Sequence, residues 1–435
     1  MHSDELTRQR TQTLDELMLV DPEEEDRPVV DFLRASPGRI AIIAVVLIAA
    51  LLIVGAAASK TVFDRQARLE TLRSHTEPLA DAAQGIYGGL SVANTTAATA
   101  FLSGGIEPRE VRDGYDAAIG QASAGLITAS NGVSADDTHS LKLLTDVSNQ
   151  LAVYTGIIAT ARANNRAGRP IGVGYLSESS AQMQRSILPS AEQLYRTHAD
   201  AVLASGRSAG VSPAIIAAAV VVLGLLVLAQ VFLARRSRRR LNPGLVVASL
   251  LVAVLVGWLA VAGLLSARAA GGARTHGGEP LGTAVTARIL AQQARADEIL
   301  GLLKRGSDTQ SDENFAERTN QLAGLLERQP VDGAAAALVS WIQAHDDIRH
   351  RLTAGDYPGA VAIARDDGPH YATPEFTRLD TALQDEITQL RARQRNGITQ
   401  AYTALNGLPF GAAAIGILAA LAVAGGVGPR LSEYH

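Results

Sequence analysis

Four uncharged apolar runs, Ile40 to Ala58, Ala214 to Ala234, Leu245 to Leu265 and Leu408 to Val427, constrain this chain more than any other feature. Each is roughly 20 residues, the length of helix that crosses a hydrocarbon core of ~30 Å. Such a core offers backbone amides no water, so each run is expected to form a spanning helix. Pro213 and Pro409 fall at the start of two of them, where a missing backbone donor costs little. The composition agrees: 47% of residues are apolar but only 4% aromatic, which suits Ala- and Leu-rich helices packed side by side rather than a large aromatic core. The fold class expected is an all-α membrane protein with four transmembrane helices and two tandem extracytoplasmic four-helix bundles.

The short link from Arg235 to Pro243 carries Arg235, Arg236, Arg238, Arg239 and Arg240. Short basic loops stay on the cytoplasmic side, so both termini are expected inside and both long segments outside. The domains expected are an acidic, disordered cytoplasmic tail (1–38), a first span (39–58), a first bundle (59–212), a second span (213–234), the basic cytoplasmic loop (235–243), a third span (244–265), a second bundle (266–407), a fourth span (408–428) and a short cytoplasmic tail (429–435). A cleaved signal peptide is the rival for the first span, with Ala56-Ala57-Ala58 as a small-residue site. A long acidic leader and an overlong apolar run argue against it. No ionisable group lies within the four runs, and Gln230 is the one strongly polar side chain inside them, which disfavours a transporter or channel.

The two long segments read as a repeat. In the first, Leu69, Leu72, Thr76, Leu79, Ala83, Ile86, Leu90, Ala93, Ala97 and Ala100 step by three and four, the spacing of a helical-bundle seam. Pro78 interrupts the ladder and predicts a kink or restart there. Breaks at Gly104-Gly105, Asn131-Gly132 and Asn164 to Gly174 predict helices near 60–102, 108–130, 134–165 and 176–208. In the second, Glu279-Pro280-Leu281 recurs 202 positions after Glu77-Pro78-Leu79, and Gly306 stands at the same offset from Gly104. Four helices are again expected, the last beginning near Pro374. The second copy is less regular, because Gln292 and Arg295 occupy the seam positions of Leu90 and Ala93.

No zincin, P-loop, dinucleotide or nucleophile-elbow motif occurs, so the chain reads as a non-enzyme with no cofactor. A net charge of -4 gives no footprint for nucleic acid, and the lack of Cys removes disulfides, thiolate metal sites and cysteine nucleophiles. The nearest approach to a metal cluster is His345, Asp346, Asp347 and His350, with Asp366, Asp367 and His370 in a later turn; both sets read better as solvated surface. Arg65, Arg68 and Arg73, just beyond the first span, are the candidate ligand contacts, since guanidinium forks suit carboxylates; interfacial anchoring is the bland reading. The basic loop is the candidate inner partner site, with headgroup contact as its plain role. Should the outer domains bind a protein, the regions Phe101 to Tyr115 and Asn164 to Tyr175 are expected to form the surface. In the tail, Leu14, Leu17, Met18, Val29, Val30, Phe32 and Leu33 provide short motifs for a partner, and Thr11 and Thr13 are phosphorylation candidates.

Paired spans enclosing a helical bundle resemble the four-helix-bundle ligand domains of bacterial chemoreceptors, as do the stretches Phe101-Leu102-Ser103-Gly104-Gly105 and Ala354-Gly355-Asp356-Tyr357. No signalling coiled coil, kinase core or cyclase is read after the last span, so output is expected to pass through a separate protein. Tandem bundles, four spans and an acidic leader resemble the GlnX-type actinobacterial membrane sensors, and the near absence of lysine fits a GC-rich genome. That resemblance implies an extracytoplasmic glutamine-binding lipoprotein, loaded with aspartate or glutamate, as outer partner and protein kinase G, a soluble serine/threonine kinase, as inner one. Membrane lipid is a further partner, and a homodimer is left open. Two alternatives remain: direct small-molecule sensing in the chemoreceptor manner, and a non-signalling envelope scaffold.

Overall fold

A computed structural model describes residues 36–103, 107–207, 212–236, 242–305, 309–366, 368 and 370–432. The tail to residue 35 with Thr11, Thr13 and its short motifs, Gly104, Gly105, Arg238, Arg239, Arg240, Gly306 and Asp367 lie outside them. Every regular element among the described residues is helical. Among the described residues four helices are long and apolar enough to cross a membrane, which makes this an all-α, multi-pass membrane protein. The described residues fall into two compact units, one within 1–64, 211–262 and 407–435 and the other within 65–210 and 263–406.

The first unit is built from the apolar parts of α1 (Ser36–Thr71), α7 (Pro213–Arg236), α8 (Pro243–Ala273) and α14 (Leu408–Ser432). Leu47, Leu51, Leu226, Leu245, Ala248 and Val423 fill its centre, whereas Val45, Ile53, Leu228, Leu250 and Leu421 are exposed, as lipid-facing positions should be. Small residues set the helix spacing where lipid offers no hydrophobic drive. A Cβ on Gly55 would stand 3.0 Å from the Cα of Gly416, and one on Gly244 would collide with the backbone of Ala422 and Gly426. Two amides tie the helices together: Gln230 donates to the Leu245 carbonyl and the Ser249 hydroxyl, both at 2.8 Å, and Asn242 donates to the Gly426 carbonyl at 2.9 Å.

The second unit contains α2 (Glu77–Leu102), α3 (Arg109–Gly132), α4 (Thr138–Arg166), α5 (Ile171–Gln182), α6 (Leu188–Arg207), α9 (Glu279–Leu303), α10 (Thr309–Arg328), α11 (Ala334–Thr353), α12 (Tyr357–Arg365) and α13 (Ala372–Thr403). The predicted seam is buried from Leu69 to Ala100 except at Thr76, which is half-buried. The second copy, expected to hold four helices with the last beginning near Pro374, contains the extra helix α12 before that point. Asp356 explains it: its carboxylate accepts the Gly359 amide at 2.9 Å, and Pro358 needs no donor in the first turn.

The break expected at Pro78 is a π-turn, Leu72–Thr76, closed by the Glu77 amide on the Leu72 carbonyl. The turn Arg274–Gly278 repeats it 202 residues on, and Met183–Ile187 is a third case, with Leu188 donating to Met183. In all three the proline follows two residues after the turn, as Pro78, Pro280 and Pro189. A proline ring inside an α-helix clashes with the carbonyl four residues back and leaves it without a donor; one extra residue in the preceding turn moves that carbonyl aside.

Both π-turns of the repeat lead into its two central helices. α2 buries 18 of its 26 residues and α9 buries 16 of its 25, so each is covered on nearly every side. They pack on each other, and Thr95 donates across to the Gln292 carbonyl at 2.9 Å. One continuous core therefore serves both copies.

Candidate functional site

A cleft of about 590 Å³ with a mixed polar and apolar lining lies between the two copies. α2 and α6 form one side of it, and α9, α10 and α13 the other. Its apolar floor includes Leu281, Ile289, Leu290 and Leu325. A pair of glycines makes the second side fit. A Cβ on Gly277 would stand 2.8 Å from the Gln394 amide nitrogen, and one on Gly278 would stand 2.7 Å from the end of the Gln394 side chain. The first copy has His75 and Thr76 at these positions, so the close approach belongs to the second copy alone.

Ion pairs join the copies along this cleft. Arg395 donates to Glu77 at 2.7 Å and to Asp81 at 2.8 Å, and Arg391 binds Asp81 and the Gln84 side chain. The pairs follow from helical spacing, since Glu77 and Asp81 sit four residues apart on α2, as do Arg391 and Arg395 on α13. Tyr195, itself buried, faces the same cleft; burial pushes its phenol up to about 12, with Arg391 opposing and Asp200 adding to the rise.

The irregular seam positions of the second copy form a separate buried network. Arg295 is 2% exposed and its guanidinium reaches Glu298, the Ala364 carbonyl at 2.7 Å and the Thr373 hydroxyl at 2.6 Å. Glu298 also accepts the Trp341 indole N–H at 3.2 Å and stands 3.3 Å from Nδ1 of His345. Burial alone would raise the Glu298 pKa, but Arg295 and His345 outweigh it and hold the carboxyl below its usual range. Phe315 stacks on His345 at 3.7 Å, and Phe376 lies under the Arg295 guanidinium at 5.6 Å. Gln292, the other irregular seam residue, donates to Asp380 at 2.7 Å. Around Arg295 and Glu298 the polar groups are satisfied internally, which specifies packing rather than offering a ligand seat, while the Gln292 side-chain oxygen is buried without a partner among the described residues.

The residues singled out in the sequence do not converge. Arg65 is buried on the face of Val62 and Leu69, while Arg68 and Arg73 are exposed, and Arg73 lies 5.8 Å over the Tyr402 ring. Burial, with Arg68 nearby, lowers the Arg65 pKa. Arg235 is exposed at the end of α7, which ends at Arg236. His345 points into the core network while Asp346, Asp347 and His350 face solvent, and no group of three metal-ligating side chains occurs among the described residues. Phe101 and Tyr115, expected at a distal docking surface, are buried instead; Tyr115 packs under Arg162 at 4.2 Å, and Arg162 donates to Glu107 at 2.8 Å. Sequence reasoning missed the cleft, because its residues are scattered over five helices and show no local pattern.

Comparison with known proteins identifies one stretch. Residues 68–207 match the model of a family described as an actinobacterial sensor domain. The matched stretch covers the first copy of the repeat, from the end of α1 to the end of α6, and supports a sensing and signalling role. No curated protein and no solved structure matches the chain.

Proposed function

We propose that this chain is a non-enzymatic transmembrane sensor whose two long segments lie outside the cytoplasm and whose termini and basic loop lie inside. The observation that carries the reading is the sensor-domain match on a chain with four membrane-crossing helices. Helices α1 and α8 are each unbroken through an apolar run into the start of the helical unit that carries the match, so a shift in that unit has a rigid element to act on. A signal of this kind requires only that a ligand or partner bind two conformations with different affinity.

In the fuller reading, the signal is the availability of acidic amino acids, presented by a solute-binding lipoprotein and relayed to a cytoplasmic serine/threonine kinase through the tail or the loop Arg235 to Arg240. Crosslinking in native membranes tests it. The binding protein and the kinase should both be captured, in amounts that change when aspartate or glutamate is added; capture that ignores these amino acids would leave only a scaffold. The cleft favours a second reading, in which the outer unit also takes a small ligand directly, since its volume suits a metabolite.

A further inference from the structure

The guanidinium groups in and beside the cleft all hold a carboxylate already. Arg391 and Arg395 are engaged by Asp81 and Glu77, Arg196 by Glu192, Arg274 by Glu279, and Arg318, near Tyr87, by Asp297. A ligand carboxylate entering here would have to break one of these pairs to find a cation.

The open valences have the opposite character. Asp200 lines the cleft at its exposed rim and makes no ion pair among the described residues. Two largely buried neutral residues line it as well, Tyr195 at 8% exposure and Gln394 at 7%. The polar ends of both open onto the cleft, and neither makes a protein hydrogen bond among the described residues. The lining therefore presents an unpaired negative charge, two neutral hydrogen-bonding groups and an apolar floor of Leu281, Ile289 and Leu290.

We infer that the cleft between the two copies is a binding site for a small alkylammonium metabolite, its ammonium held at Asp200 and a hydroxyl or amide elsewhere on the ligand held by Tyr195 and Gln394. This rests on the direct-sensing reading and is independent of the binding-protein relay. An acidic amino acid is a poor fit to the same cleft, so the two inputs are chemically distinct. Occupancy bridges α6 and α13, which belong to different copies, and so bears on the same contact that Arg391 and Arg395 make.

The test is isothermal calorimetry on the full chain in lipid nanodiscs, with aminobutanol as the probe and hydroxybutyrate, which carries a carboxylate in place of the ammonium, as its match. Saturable binding of aminobutanol, weakened about tenfold or more by Asp200→Asn and by a smaller factor by Tyr195→Phe, is the result expected for a charge-assisted contact and a neutral one. Both variants keep the volume of the side chain, and unchanged thermal unfolding of each shows that the fold is intact. Tighter binding of hydroxybutyrate, or aminobutanol binding that Asp200→Asn leaves unaltered, overturns the ligand class while keeping a directly sensed ligand. Failure of both probes to bind overturns the site itself and leaves the relay through a binding protein to stand or fall by crosslinking.

Discussion

Replacing Glu298 by Gln removes one charge from the interior of the second copy and keeps the shape of the side chain. The Glu298 side chain is fully buried and that of Arg295 is 2% exposed, so the guanidinium would be left with neutral partners only. Removing one member of a buried, hydrogen-bonded ion pair costs about 3–5 kcal/mol, mostly from the charge left behind. At about 2–4 °C per kcal/mol for a unit of this size, the unfolding midpoint should fall by roughly 10 °C. The double variant Arg295→Met, Glu298→Leu removes both charges and should recover most of the loss, to within about 1–2 kcal/mol, because an apolar pair avoids the desolvation cost. Trp341 donates to Glu298 and is one of only two tryptophans, so intrinsic fluorescence during thermal unfolding reads the event directly. The pH dependence follows from the sign of the shift: the folded pKa is depressed, so the stabilisation is present above the ordinary carboxylate range near ~4.3 and is lost as pH falls through the lower folded value. Glu298→Gln should flatten that acid limb. A single variant as stable as the parent, or a double variant no better than the single, would refute the claim that Arg295 and Glu298 stabilise each other.

Helix packing and the cross-copy pairs give two further expectations. A Cβ on Gly125 would lie 2.8 Å from Ile86 Cγ1 and 2.9 Å from the Ala82 carbonyl oxygen, so Gly125→Leu should cost about 1–3 kcal/mol through overpacking, whereas Gly120→Ala, with nothing within 4 Å, should be neutral or stabilising by up to ~1 kcal/mol; thermal unfolding compares them. Arg395 is half-exposed, so Arg395→Ala should cost no more than about 1 kcal/mol and the deficit should shrink as salt is raised, which unfolding at two ionic strengths checks.

Much of this fold can be read from local pattern. The three-and-four spacing from Leu69 to Ala100 marks a helix face, and that face is buried. Pro78 and Pro280 announce an interruption, but spacing alone does not say whether the chain kinks, restarts or inserts a residue; the π-turns are the third solution. The seam also understates how central α2 and α9 are. Gly89, Ser91, Asn94 and Thr95 lie off the apolar stripe yet are buried, because small and polar residues let neighbouring helices approach from the other sides. Arg295 looked like a defect in a seam and is a core residue whose partners come from Glu298, Ala364 and Thr373, the last two 69 and 78 positions away. The cleft was illegible for a similar reason: Asp200, Tyr195, Gln394 and Leu281 share no motif, and only tertiary packing brings their helices together.

The central claim is that the unit carrying the sensor-domain match faces away from the cytosol, and the absence of native cysteine allows a direct test. Single cysteines at Ile127, Val153 and Val339, all exposed, and at Thr13 and Ser237 in the tail and the basic loop, are exposed to a membrane-impermeant maleimide in intact cells. Labelling of Ile127→Cys, Val153→Cys and Val339→Cys in intact cells, with Thr13→Cys and Ser237→Cys labelled only after permeabilisation, is the result this account predicts. The reverse pattern, or protection of either copy of the repeat until the membrane is opened, contradicts it.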